Sequence, residues 1–296
     1  MKAIIPVAGH GTRLEPHTLI RQKCLLPVAG KPVSEHILDR LTEASVTDIT
    51  LIIGHLSGQV REYCNTYSKA KFTFIEQTDR LGLGHAVYQG LDQSEEPVVI
   101  VLGDSILELD YNKILSSTNS TIGVDRVSDP QRFGIVQLDG DQIVSVVEKP
   151  ENPLSDLALI GIYYISSQKE LASGIEYLIK NDIRTKNEYQ LTDAFGVMLK
   201  RGHIFKALKI DVCLDCGMPE AMLSTNQTLL DREKKNALHP SVKIDNSKIM
   251  YCTISENCRI ENSHLKNVIM LPGSRVKSHD LENAIVGFDE YLIGRI

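Results

Sequence analysis

The stretch PVAGHGTRL, residues 6–14, carries an apolar segment straight into two glycines, a threonine and an arginine. A strand that ends in this way leaves consecutive backbone N–H groups pointing to one side, a concavity suited to phosphate oxygens. Gly9 and Gly11 let that backbone approach a ligand without a Cβ in the way. Two cations frame the loop, Arg13 within it and Lys23 on its return in QKCLLPVAGKP. Such a pair fits a triphosphate better than a solvated surface. The pattern is not a phosphate loop closed by GK[ST], nor a complete GxGxxG fingerprint, so the glycines alone do not name the ligand.

These residues need a frame. KAIIPV, the amphipathic stretch from Val33 to Ala44, DITLIIG and VVIVLGD alternate strand-like and helix-like patterns. That alternation predicts crossover units and an α/β fold, a Rossmann-like doubly wound mixed sheet that is mostly parallel. Val7, Ile53 and Leu102 are each followed within two residues by glycine, and in such sheets ligands gather at the carboxyl ends of strands. A first domain over residues 1–236 is expected, closing with a helical linker at about 218–236, and a second over 237–296.

The second domain reads differently. Isoleucine or leucine recurs at 244, 249, 254, 260, 265 and 269, with Asn-Ser or Asn-Ala at 246, 262 and 283. A period near six predicts a short parallel β-helix, although the drifting spacing leaves another β-rich tail as the alternative. About sixty residues follow Pro240, enough for roughly three coils of ~18 residues. In that register His264 stacks with Cys252 and Cys258 along one face. So short a solenoid leaves open ends and an apolar flank, which predicts an assembly role in a homo-oligomer and no second activity.

The chain has 296 residues, 42% of them hydrophobic and 24% charged, and a net charge of −6. No global basic field exists to favour nucleic acid or an anionic membrane, so a phosphate site has to be local. The apolar runs are far shorter than the ~20 residues of a membrane helix. The N-terminus lacks the apolar region of a secretory signal, and a cytoplasmic protein is expected. Six cysteines do not make a disulfide framework, and the lone CLDC at Cys213 and Cys216 has no second pair to complete a zinc site.

VAGHGTRLEPHT and QKCLLPVAGKP resemble the N-terminal signature of the sugar-1-phosphate nucleotidyltransferases, GxGTRLxPxT followed by PKxLLPVxGKP. IEQTDRLGLGHAV resembles the family's nucleobase segment, VIVLGDS its metal-binding strand end, RFGIV and VVEKP its sugar segments. NEYQLTDA and LDCGMPE resemble GExQLTDA and LDxGTPE, so the likeness covers residues 1–226. The tail resembles the left-handed β-helix appended to some members. One departure is Gln22, where the family has proline before the lysine, which is expected to loosen the loop that carries Lys23.

The resemblance implies transfer of a uridylyl or thymidylyl group from UTP or dTTP to a sugar 1-phosphate, glucose 1-phosphate first, with release of pyrophosphate. It assigns Arg13 to the triphosphate and leaving group and Lys23 to the phosphates near the reacting centre. Ala8, Gly9, Gly11, Thr12, Gln77 and Gly82 would bind the nucleotide, with the Gln77 amide complementing the edge of uracil or thymine. Gly134, Glu148, Lys149 and, more weakly, Lys186 would bind the sugar phosphate. Asp104 and Asp215 would hold Mg²⁺, which prefers hard oxygen ligands and substrate phosphates. Another hexose phosphate or phosphocholine as acceptor is the alternative, as is a silent nucleotide-sugar sensor.

Overall fold

Ala3, Ile4 and Ile5 are buried in the strand Lys2–Pro6, which lies parallel to Asp48–Ile53 on one side and Val98–Val101 on the other. A strand with apolar residues on both faces belongs inside a parallel sheet covered on both sides. The computed structural model of the chain describes residues 1–287 and 293–295. It divides into two compact units, one of residues 1–9, 39–103 and 107–213, the other of residues 10–38, 104–106 and the chain from 214 onward.

The first unit holds a nine-stranded sheet whose order, by first residue, is Lys71, Asp48, Lys2, Val98, Leu157, Ser120, Phe205, Gln142, Gly134. The four leading strands are parallel. Leu157–Ile165 then runs antiparallel to both Val98–Val101 and Ser120–Arg126, which makes the sheet mixed. The antiparallel portion includes the hairpin of Gly134–Asp139 and Gln142–Glu148, because a tight turn can join only antiparallel strands. The helices Gln168–Lys180 and Leu191–Lys200 bury Leu171, Ile175, Phe195 and Met198 in the core of this unit. The Phe195 ring sits 5.5 Å from Tyr163 and 5.3 Å from Phe205, centroid to centroid.

In the second unit the 3-10 turns Thr12–Leu14 and Lys23–Leu25 precede a hairpin of Pro27–Val28 and Lys31–Pro32. Gln22 departs from expectation here. Its side chain is buried and its Oε1 accepts the Cys24 N–H at 2.6 Å, capping the turn that begins at Lys23, so the loop is tied down rather than loosened. The helix Pro219–Glu233 starts with proline in its first turn, where a missing N–H costs nothing. It packs on the strands His264–Met270 and Asp280–Val286.

Those strands belong to a parallel β-helix. Ala237, Thr253, Ile269 and Ile285 lie in register, as do Lys243, Arg259 and Arg275, so each coil is 16 residues long rather than ~18. The corners explain the shorter coil. Asn246, Asn262 and Ser278 occupy one, Tyr251, Asn267 and Asn283 another, Asn257 and Gly273 the third, all with positive φ. Corners five, six and five residues apart close a coil of 16, which is why the apolar spacing drifts. Asparagine tolerates that conformation, and Asn246 and Asn267 donate to Asn262 and Asn283 one coil on. Cys252, Cys258, Ile260 and Val276 fill the interior.

His264 does not stack with the cysteines. A 16-residue coil puts it in line with Lys248 and Asp280 on the outer surface, where Nδ1 is 3.1 Å from an Asp280 carboxylate oxygen. Residues 288–292 and 296 of the expected second domain lie outside the described residues.

Candidate active site

The second unit holds Arg13, Lys23, Asp104 and Asp215. Lys23 Nζ lies 2.7 Å from Asp104 Oδ2, and both side chains are partly exposed. Gly11 takes a positive φ, and a Cβ there would stand 3.1 Å from the Lys23 Cβ, so the glycine loop and the lysine are in close contact. Thr18 holds the loop by donating its hydroxyl to the Gly11 carbonyl at 2.9 Å. Thr12 and Arg13 form the 3-10 turn that follows, with Arg13 exposed.

Asp215 arrives on the strand Val212–Asp215, and its Oδ1 accepts the Gly217 N–H at 2.7 Å. The Cys216 N–H donates to the Asp104 carbonyl at 2.9 Å, joining the two aspartate-bearing segments. A Cβ on Gly217 would lie 2.9 Å from Asp215 Oδ1 and 3.7 Å from Asp104 Oδ2, so both carboxylates face one point. Two carboxylates around one point, beside the glycine loop, fit Mg²⁺, which takes one or two protein carboxylates and fills its shell with water and substrate phosphate. Among the described residues no group of three or more histidine, cysteine, aspartate or glutamate side chains could hold a metal. No disulfide joins any of the six cysteines, all of them among the described residues, and burial pushes the Cys216 thiol far up, followed by the charge of Asp215, so this thiol stays protonated.

The first unit holds the remaining residues. Ala8 is buried and Gly9 exposed at the end of the leading strand. Gln77 is buried at the end of Lys71–Glu76, its N–H on the Ile53 carbonyl and its Nε2 3.4 Å from the Gly82 carbonyl oxygen. Gly82 itself is pressed against the segment around Glu188 and Tyr189. Gly134 lies where a Cβ would meet Thr192 Oγ1 at 2.6 Å and Glu148 Oε2 at 3.0 Å. Glu148 is nearly buried and pairs with Lys149 Nζ at 3.1 Å. Lys186 is exposed in a tight turn closed by Thr185 and Glu188.

Two residues here escaped sequence reasoning, Thr192 and Asp193, although both stand inside the QLTDA segment. Asp193 Oδ2 is buried with no hydrogen-bond partner, and burial raises the pKa of the carboxyl, opposed first by a hydrogen bond from Thr185 and then by Lys149, with the Glu148 charge adding to the rise.

The chain belongs to the Nucleotidyl transferase family, whose model matches residues 2–232. Its class within that family is the sugar-1-phosphate nucleotidyltransferases. It is 35% identical over 234 residues to the bifunctional protein GlmU of Methanocaldococcus jannaschii, across 78% of this chain and 55% of that one. The chain therefore spans about half the length of that relative. It is 28% identical over 337 residues to the glucose-1-phosphate thymidylyltransferase of Streptomyces antibioticus, across 97% of this chain and 92% of that one. A crystal structure of UDP-glucose pyrophosphorylase complexed with UDP-glucose shares the fold, with a TM-score of 0.67 at 24% identity, covering 78% of this chain and 98% of that one.

Proposed function

We propose that this chain transfers a uridylyl or thymidylyl group from UTP or dTTP to a sugar 1-phosphate, glucose 1-phosphate first, in the cytoplasm. The observation that carries the reading is Lys23 held on Asp104 at 2.7 Å, with Asp104 and Asp215 facing one point beside Gly217. A sugar-phosphate oxygen attacks the α-phosphorus, the bond to the β-phosphate oxygen breaks, and pyrophosphate leaves with the electron pair. A phosphate monoester with a second pKa near ~6 is largely dianionic at neutral pH, so its attack needs no general base. The task is electrostatic, to hold two polyanions in line while charge grows on the leaving group. Arg13 and Lys23 bind the triphosphate, and Lys23 neutralises charge close to the reacting phosphorus. Mg²⁺ on Asp104 and Asp215 would supply further charge neutralisation there. Lys149 takes the acceptor phosphate, with Lys186 in the same role, Glu148 accepts sugar hydroxyls, and Gly134 offers a backbone contact. The test is pyrophosphate release from each triphosphate against a panel of hexose 1-phosphates and phosphocholine with Mg²⁺. Release with phosphocholine or another hexose reassigns the acceptor, and no release with any pair favours a sensor.

Base choice is assigned to Gln77. Gln77→Ala is expected to raise the KM for UTP or dTTP about tenfold, the equivalent of ~1.4 kcal/mol for lost amide hydrogen bonds. Purine triphosphates should then compete better. Unchanged discrimination in a triphosphate competition assay would leave base reading to the backbone.

The β-helix is assigned an assembly role. Leu238 and Ile244 of its first coil are exposed by 44% and 39% although they stand in register with the buried Ile254 and Ile260, so the open apolar end of the solenoid is suited to a second copy of this chain. Truncation after residue 236 is expected to lower the number of subunits deduced from light scattering or the melting temperature, and to leave triphosphate binding in place. The same number of subunits and the same melting point would refute the assignment.

A further inference from the structure

Asn226 is fully buried in the helix Pro219–Glu233, yet three polar partners from two other segments converge on it. Its Oδ1 accepts the Ala29 N–H at 3.0 Å and the Thr253 hydroxyl at 2.5 Å, while its Nδ2 donates to the Tyr251 carbonyl at 3.1 Å. Ala29 and Tyr251 both have positive φ, 49° and 55°, in a region that residues with a Cβ seldom enter. A single side chain therefore fastens two strained backbone positions.

Ala29 and Gly30, with φ of 49° and 90°, form the two-residue loop between the paired residues Val28 and Lys31. Such a loop needs positive φ at both positions and ordinarily carries Asn-Gly, so alanine at the first is the strained choice. Strain of this kind persists where the surroundings over-determine it, and it clusters at functional sites. Here the surroundings are Asn226 and the solenoid, since a Cβ on Gly30 would stand 2.9 Å from the Cβ of Ala237. The loop is only a few residues past Lys23, and Leu26 between them donates its N–H to the Lys23 carbonyl and accepts that of Val33. One residue earlier in the same helix, Thr225 donates its hydroxyl to the Asp215 carbonyl at 2.8 Å.

We infer that Asn226 is a positioning residue for the transfer reaction, tying the hairpin behind Lys23 to the first coil of the β-helix so that the lysine stands against the Asp104 and Asp215 carboxylates. The inference rests on the functional reading above. Neighbouring residues of one helix, Thr225 and Asn226, thus hold the aspartate arm and the lysine arm of the site. The solenoid becomes part of the catalytic geometry, beyond any role in assembly.

Asn226→Ala is expected to lower kcat at least tenfold at a temperature well below its melting point, and to raise the KM for triphosphate by less than kcat falls, because Arg13 and the glycine loop still bind it. Ala29→Gly alone should stay near the parent. In the double variant, glycine enters the left-handed conformation without help, so kcat should recover at least fivefold while the melting temperature stays low, because Tyr251 and Thr253 remain unfastened. A purely structural Asn226 would give no such rescue. Turnover of Asn226→Ala within twofold of the parent, or a double variant no faster than it, overturns the inference. Should Asn226→Ala fail to fold, Thr253→Val is expected to run about threefold slower than Thr253→Ser, and equal rates overturn the inference equally. Hydrogen exchange of the peptide spanning residues 22–33 gives a readout independent of substrate and is expected to accelerate in Asn226→Ala. A parent that releases no pyrophosphate with any pair would defeat the functional reading, and unchanged exchange would then defeat the positioning role separately.

Discussion

Asp104→Asn is expected to lower turnover by two to three orders of magnitude and to leave the melting temperature within a few degrees of the parent. The substitution keeps the shape of the side chain and an oxygen that can still accept from Lys23 Nζ, now 2.7 Å away. It removes one of the two negative charges that face the point beside Gly217. A divalent cation at a phosphoryl centre is worth several kcal/mol, and at ~1.36 kcal/mol per tenfold that is roughly 10²–10³ in kcat. Stability should change little, since the side chain is 35% exposed and exposed ion pairs are worth at most ~1 kcal/mol. The loss should be partly relieved by raising Mg²⁺, because Asp215 remains. Pyrophosphate release across a Mg²⁺ titration, with a melting curve beside it, checks both halves. Near-normal turnover at low Mg²⁺ would move the cation away from Asp104.

Much of the fold was legible because it is written in local periodicity. The four residues of Val98–Val101 are entirely buried, as a continuous apolar run in a parallel sheet requires. The β-helix was visible in its recurring isoleucines and asparagines, but its coil length was not. Five-, six- and five-residue sides differ from a strict period of six by one residue at two sides in each coil, and only the register of Thr253 on Ile269 separates a coil of 16 from one of 18. The same error of register put His264 with Cys252 and Cys258, when a coil of 16 carries it to the surface.

Within the site, the glycine loop and the aspartates announce themselves by residue type, whereas their convergence depends on non-local bonds. The Cys216 N–H on the Asp104 carbonyl is one such bond, joining segments far apart in the chain. Gln22 shows the limit in the other direction. Judged by type it lacks the stiffness of proline, yet its side chain folds back to cap its own turn, which is visible only once the rotamer is known. Asn226 is the extreme case. An asparagine in the middle of a helix looks like a weak helix former and nothing more. Its meaning lies in Ala29 and Thr253, which the fold alone brings to it.

Gly82→Ala should be the most damaging single methyl group in the first unit. Gly82 has φ 108° and ψ 176°, a conformation essentially reserved for glycine, and forcing a Cβ into it costs about 1–3 kcal/mol before any contact is counted. The added Cβ would also stand 2.7 Å from the Glu188 Cβ, 2.8 Å from the Tyr189 carbonyl oxygen and 2.9 Å from the Tyr189 nitrogen. Two of these are backbone atoms that cannot swing aside. They are engaged as well, since the Tyr189 N–H donates to the Leu81 carbonyl at 2.7 Å and the Gly84 N–H donates to the Tyr189 carbonyl at 2.8 Å. Relief of the clash must part these two hydrogen bonds, at roughly 1 kcal/mol each. The sum, about 3–5 kcal/mol, corresponds to a fall of roughly 10 °C in melting temperature for a domain of this size. Gly140→Ala supplies the control. Gly140 also has positive φ, 61°, but a Cβ there meets nothing within 4 Å, so only backbone strain of ~1–2 kcal/mol is expected. Base choice should suffer along with stability, because the Gly82 carbonyl that leaves its place is the one 3.4 Å from Gln77 Nε2. Melting curves and a UTP-against-GTP competition on the two variants decide the matter. Equal melting points for Gly82→Ala and Gly140→Ala would mean that the segment around Tyr189 yields freely and does not fix the wall beside Gln77.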